Sequence, residues 1–355
     1  MNTGTALEPN LVLETSEPAH EAVPATSPMI RKPRLWTAFA TFLVAAIIGQ
    51  VAAIGAFFAV GFGTGVIMGV QGADGAAIQA RVQEVFQQPL IVLMLSLIPF
   101  QLGLAIVVLF AASWSKEPLK QRLGLLPQTG RAFGGLKLVT MAAFTLSAAW
   151  ATFTLSSLFV GPPPADNAIA DVITDGSWLT ITLLSIILSV IPALVEESLF
   201  RGYLQRRLLQ RWSPAVAISV SSLLFAVMHF DSLQHVISVV PLGVVAGLLA
   251  YRTNSIKPGM LVHAAHNTGV VGFGALATVL MPYIGPEKFG LLFIGLTVVL
   301  GLIGLPAVVS LLRSAKPRPS GETQAAPEPA VESLSVASLR LANFATDSRL
   351  ASPAV

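Results

Sequence analysis

Between Leu35 and Leu312 the chain is a succession of apolar stretches, each close to the length that crosses hydrocarbon. Hydrocarbon offers no partner to a free backbone N–H or C=O, so such stretches can only be helices or strands of a closed barrel. A membrane helix needs about 20 mostly apolar residues, and by that rule the chain holds about eight candidates. They lie near Leu35–Phe62, Pro89–Trp114, Ala132–Val160, from Ser177 onward, Pro214–His229, Val236–Tyr251, Met260–Tyr283 and Gly290–Leu312. The residues are 54% hydrophobic and 11% charged. A soluble domain carries about 25% charged residues, so this chain has too few to cover a water-facing surface. The expected fold class is an all-α polytopic transmembrane bundle in the lipid bilayer of the cell membrane.

Loop charges test the count. Arg31, Lys32 and Arg34 precede the first stretch, and Lys116, Lys120, Arg122 and Arg131 follow the second. Arg206, Arg207 and Arg211 follow the fourth, Arg252 and Lys257 the sixth, and Arg313, Lys316 and Arg318 the eighth. The alternate loops are poor in Lys and Arg. The positive-inside rule then puts both termini in the cytoplasm and requires an even number of spans. The flanks, 1–33 and 314–355, are rich in Pro, Glu, Ala and Thr or Ser and read as disordered tails around a membrane domain over 34–313. Segment Ala73–Gln88 is amphipathic, which suits the outer interface. The chain has no cysteine, which excludes disulfides, thiolate metal sites and a cysteine nucleophile. It has no arginine-rich stripe or aromatic platform for nucleic acid.

Ionisable groups inside membrane segments are expensive and by default mark function. Here they cluster between Glu196 and Asn267, a window that also holds four of the five histidines. In the fourth stretch, 19 uncharged residues from Ser177 to Val195 run straight into Glu196 and Glu197. Glu197 and Arg201 are spaced i,i+4 and can pair. Glu196 sits about 100° around the helix and lacks that partner. In the fifth stretch Phe225 and His229 share a face. Glu196 lies as far before the turn at Trp212–Ser213 as His229 lies after it, so an antiparallel hairpin brings them level. In the seventh, His263 and Asn267 share a face. If Arg201 and Lys257 both mark the cytoplasmic boundary, His263 reaches the same depth as Glu196. A carboxylate beside an imidazole in a dry site is suited to activating water. This placement leaves the polar run from His229 to His235 near membrane depth, which implies a hydrated chamber, since irregular backbone must line protein or water there.

Blander readings stand beside these. Any one of the polar residues, Asn267 above all, can be a helix–helix hydrogen bond, and Arg201 can be only a boundary charge. His235 and His266 read as structural. The whole set can line a transporter, although inverted repeats with broken helices are not evident. Gly243 and Gly247 form a small-xxx-small pair of the kind that packs helices within one chain.

Three ordered motifs resemble the CPBP family, which includes the type II CAAX prenyl proteases and the Abi proteins. They are E-E-x-x-x-R (Glu196, Glu197, Arg201), F-x-x-x-H (Phe225, His229) and H-x-x-x-N (His263, Asn267). The resemblance covers about 122–280 and includes RLGLLPQTGR, similar to the family's lead-in loop. It implies an intramembrane endopeptidase acting on a peptide or membrane-anchored protein. Glu196 and His229 would activate water, His263 and Asn267 would stabilise the oxyanion, and Glu197 and Arg201 would hold the helix in shape. Members are often labelled metalloproteases. H-E-x-x-H is absent, yet Glu196, His229 and His263 could supply three zinc ligands. The metal-free glutamate mechanism is the preferred expectation. The alternatives are a non-catalytic scaffold or bacteriocin immunity protein of the same family and, further off, a transporter.

Overall fold

A computed structural model describes residues 1, 34–114, 117–127, 132–161 and 168–314. The expectation of disordered tails falls on 2–33 and 315–355, outside the described residues. Among the described residues every regular element is a helix. In chain order these are α1 (Leu35–Val70), α2 (Gly75–Phe86), α3 (Pro89–Ser113), α4 (Leu119–Arg122), α5 (Gly135–Val160), α6 (Ala168–Asp175) and α7 (Trp178–Glu197). Then come a π-helical stretch (Ser198–Gln205), α8 (Arg206–Leu208), α9 (Pro214–Val227), α10 (Leu233–Thr253) and α11 (Lys257–Leu312).

The helix starts follow local chemistry. Ser177, Ser213 and Ser232 cap α7, α9 and α10, each side chain accepting from a backbone N–H three residues on. Pro89 and Pro214 occupy the first turns of α3 and α9, where no intrahelical N–H is needed. Asp74 caps α2, which buries no residue and rests on α1 through Phe86 against Phe57 and Gly61. That is the amphipathic segment read from the sequence.

Among the described residues six helices are long and apolar enough to cross a membrane: α1, α3, α5, the rod from Trp178 to Leu208, α10 and α11. Eight stretches become six for two reasons. First, α9 has 14 residues, about 21 Å of rise, against a hydrocarbon core of about 30 Å. Second, α11 runs for 56 residues as one apolar helix but is broken at Gly285 (φ 77°, ψ 161°), a backbone conformation open to glycine and little else. Packing on α5 reveals two arms. Thr145, Leu146 and Trp150 meet His266, Gly269 and Phe273, in rising order on both helices. Thr140, Ser147 and Trp150 meet Gly304, Thr297 and Phe293, in falling order. The arms are therefore antiparallel, and the seventh and eighth stretches are distinct, joined by a reversal at Gly285.

One core joins most of the bundle. Leu104 of α3, Leu199 and Phe200 of the π stretch, Phe225 of α9, Leu242 of α10 and Val262 of α11 are buried together. A smaller cluster ties α3, α6, α7 and α11 through Leu93, Val172, Ile181, Leu188 and Val271. Helices α1 and α3 cross in backbone contact: a Cβ on Gly103 would lie 2.7 Å from Gly49 Cα. That close approach brings the middle of α3 up to the end of α7.

Candidate active site

The site begins with a flaw in α7. Pro192 lies inside the helix and has no N–H to offer the carbonyl of Leu188 four residues back. Asn267 Nδ2 of α11 donates to that carbonyl at 3.0 Å. Beside it, Thr268 Oγ1 donates to Ser189 Oγ at 2.9 Å. Two hydrogen bonds thus pin α11 to α7 just above the two glutamates.

Glu196 and Glu197 part as the helical angle requires. Glu197 is fully buried, and its Oε1 accepts from Arg201 Nη1 at 3.0 Å. The same oxygen meets His263 Nδ1 at 3.0 Å. A carboxylate paired with a guanidinium can only accept, so His263 donates from Nδ1 and its Nε2 is left to point elsewhere. It points at Glu196, with Nε2 3.9 Å from Oε2. His229 is set the same way. Its Nδ1 donates to the Phe225 carbonyl at 2.9 Å, and its Nε2 stands 4.0 Å from the same Glu196 Oε2. Glu196 Oε2 has no hydrogen-bond partner among the described residues. Two imidazole Nε2 atoms therefore face one carboxylate oxygen.

The surrounding shell is rigid. Arg201 is 0% exposed and paired with Glu197, so it does more than mark a boundary. Arg201 Nη2 donates to Gly243 O at 2.7 Å, and its guanidinium lies 4.6 Å over the Phe225 ring. Phe225 also stands edge-on to the ring of His263 at 5.6 Å. One turn on, Gln205 Nε2 donates to Gly247 O at 2.9 Å. Gly243 and Gly247 thus present carbonyls to the π stretch and packing room to Ser222 and Ile218, which is the intrachain role read for the pair.

Asn267 lies one turn beyond His263, and its side chain is the tie to Leu188 just described. His266 bonds Thr145 of α5, a helix-to-helix contact. His235 is held by both Asp231 oxygens at 2.8 Å, and its ring stands edge-on to His229 at 5.1 Å. Two polar partners escaped the sequence reading. Gln205 is one. The other is Gln101 of α3, 3% exposed, whose Nε2 donates to Glu196 Oε1 at 2.7 Å. The available signal was a lone glutamine within an otherwise apolar helix.

Glu196 and His263 are buried, and the side chain of His229 is 21% exposed. A cavity of about 930 Å³ lies alongside, between α5, α7 and α11, and is lined by Ser185, Ser189, Ala264 and Thr268 among apolar neighbours.

Residues 177–269 match the family described as Type II CAAX prenyl endopeptidase Rce1-like. Over that segment, 93 of the 355 residues, the chain is similar to the type II CAAX prenyl endopeptidases. The matched segment runs from the cap of α7 to just past Asn267 and contains Glu196, Glu197, Arg201, Phe225, His229, His263 and Asn267. Gln101 lies outside the match. No curated protein and no solved structure matches the chain.

Proposed function

We propose that this protein hydrolyses a peptide bond in a membrane-associated peptide or protein, with Glu196 as the base that activates water. One observation carries the reading: Glu196 Oε2, unpartnered and buried, faces the Nε2 atoms of His229 and His263 at 4.0 and 3.9 Å. A water held about 2.8 Å from Glu196 Oε2 and from one of the two Nε2 atoms fits that spacing, at an angle near 90°, and donates one O–H to each. The water oxygen attacks the carbonyl carbon as its proton passes to Glu196. The proton then moves to the leaving amine as the C–N bond breaks, and the carboxylate is restored. His229 and His263, each fixed through Nδ1, present Nε2 beside the carboxylate, where one accepts from the water; an imidazole that carried a proton on Nε2 would donate to the developing oxyanion. Glu197 acts through His263, and Arg201 neutralises Glu197.

Zinc fits the same atoms poorly. Bonds of about 2.0–2.1 Å in tetrahedral array put ligand atoms roughly 3.4 Å apart, closer than the separations here. Among the described residues no group of three His, Asp or Glu is close enough to hold a metal. The basic loops support a cell-membrane protein with cytoplasmic termini, so the scissile bond would be presented from the cytoplasmic side.

The test compares the membrane and released peptides of cells carrying the parent chain or Glu196→Ala. A junction present only with the parent defines a reporter peptide, assayed with purified protein in phosphatidylcholine–phosphatidylglycerol vesicles. The reading expects cleavage to fall to background in Glu196→Ala. Cleavage at the parent rate overturns it.

A further inference from the structure

Glu196 has two oxygens, and only one faces the imidazoles. The other, Oε1, receives Gln101 Nε2 at 2.7 Å. This is the one hydrogen bond to the Glu196 side chain seen among the described residues. Gln101 is itself 3% exposed and sits in α3, outside the segment 177–269 that carries the family match. Its place is fixed by backbone: Gly103 and Gly49 press α3 against α1 two residues away. We infer that Gln101 is a positioning residue for the proposed hydrolysis: it occupies Oε1, fixes the Glu196 carboxylate, and leaves Oε2 as the oxygen that takes the proton from water.

The argument is one of alternatives. A glutamate side chain has three rotatable bonds, and its terminal torsion is soft. With Oε1 unheld, the carboxylate can turn and offer either oxygen, or neither, to the point between His229 and His263. A misplacement of about 1 Å at a reacting group can cost about a hundredfold in rate. A buried donor on a non-titrating side chain fixes the carboxylate without adding a charge to the site. The charged and titratable groups around Glu196 are His229 at the end of α9, with His235 and Asp231 behind it, His263 on α11, and Glu197 and Arg201 on its own rod. None of these bonds Oε1 in the structure. The inference rests on the hydrolase reading for its rate effect, but its structural half can be measured without a substrate.

Two variants test it. Gln101→Leu removes the donor at similar volume, and Gln101→Glu keeps the shape but supplies a donor only while the new carboxyl carries a proton. Infrared difference spectra identify the Glu196 carboxylate stretch as the band lost in Glu196→Gln. That band should shift in Gln101→Leu. With the reporter peptide, Gln101→Leu should lower kcat roughly ten- to a hundredfold, the worth of a hydrogen bond to a charged group, with KM unchanged. Gln101→Glu should lose activity on the alkaline side, where the proton shared by the facing carboxyls departs, under conditions in which the parent stays active. Thermal unfolding in detergent serves as the fold control. An unmoved carboxylate band together with parent kinetics in Gln101→Leu overturns the inference, as does an unchanged pH profile in Gln101→Glu. If instead Glu196→Gln itself cleaves normally, the hydrolase reading is what fails. If Glu196→Gln is inactive and Gln101→Leu is normal, only the positioning role falls.

Discussion

Replacing Arg201 with methionine should unfold this protein more readily than almost any other single change. The side chain is 0% exposed, donates to Glu197 Oε1 at 3.0 Å and to Gly243 O at 2.7 Å, and sits 4.6 Å over the Phe225 ring. Removing one member of a buried ion pair strands the other charge and costs about 3–5 kcal/mol. The orphaned Gly243 carbonyl and the lost cation–π contact, worth about 1–3 and about 2 kcal/mol, overlap with that figure and push it toward its upper end. The stranded charge dominates, so removing it should repair most of the damage. Glu197→Gln alone should also be costly. The double variant Glu197→Gln/Arg201→Met should be at least about 2 kcal/mol more stable than the two single costs summed, because paired charges couple strongly when both are buried. Glutamine at 197 still offers an oxygen to His263 Nδ1. Reversible unfolding in mixed micelles, followed by tryptophan fluorescence, gives all four corners of the cycle. Additive costs would refute the reasoning, as would an Arg201→Met protein as stable as the parent.

Asn267→Ala should cost about 1–3 kcal/mol, because a buried carbonyl loses its partner. In a Pro192→Ala background the cost should shrink, since residue 192 then supplies its own N–H to Leu188; equal costs in both backgrounds would contradict this in the same unfolding assay. Gly103→Leu should destabilise by more than about 2 kcal/mol, because the new side chain meets Gly49 backbone that cannot yield. Leu102→Ala, at a position 57% exposed, should change stability far less. Reporter cleavage should survive exhaustive chelation; a loss that only zinc restores would reverse the metal-free reading.

Much of the site was legible because charge in an apolar helix is conspicuous. The division of labour between Glu196 and Glu197 followed from 100° of helical rotation, and the meeting of Glu196 with His229 followed from equal counting along a hairpin. Where the sequence misled, the residues explain why. Arg201 looks like an interfacial charge because its buried partner is one turn away on its own helix, and its contact with Gly243 comes from a helix 42 residues on. Gln101 carries no charge, and the strongly apolar residues around it mask it. The last two spans could be told apart in the sequence because Gly285, Pro286, Glu287 and Lys288 interrupt the apolar run, and the backbone at Gly285 carries the reversal. The fifth span reads as apolar up to His229, but α9 ends at Val227 and is short in any case.

That shortness has a consequence for the surrounding lipid. Because α9 ends level with Glu196, the turn that follows and the first turn of α10 carry Asp231 and His235 side chains that are 69% and 38% exposed. Acyl chains do not tolerate such groups, so at acyl-chain depth the turn would draw headgroups and water toward it beside His229. Such a thinned patch would shorten the path by which solvent reaches Glu196. Turnover should then decline as the host vesicles are built from progressively longer acyl chains, which resist the indentation.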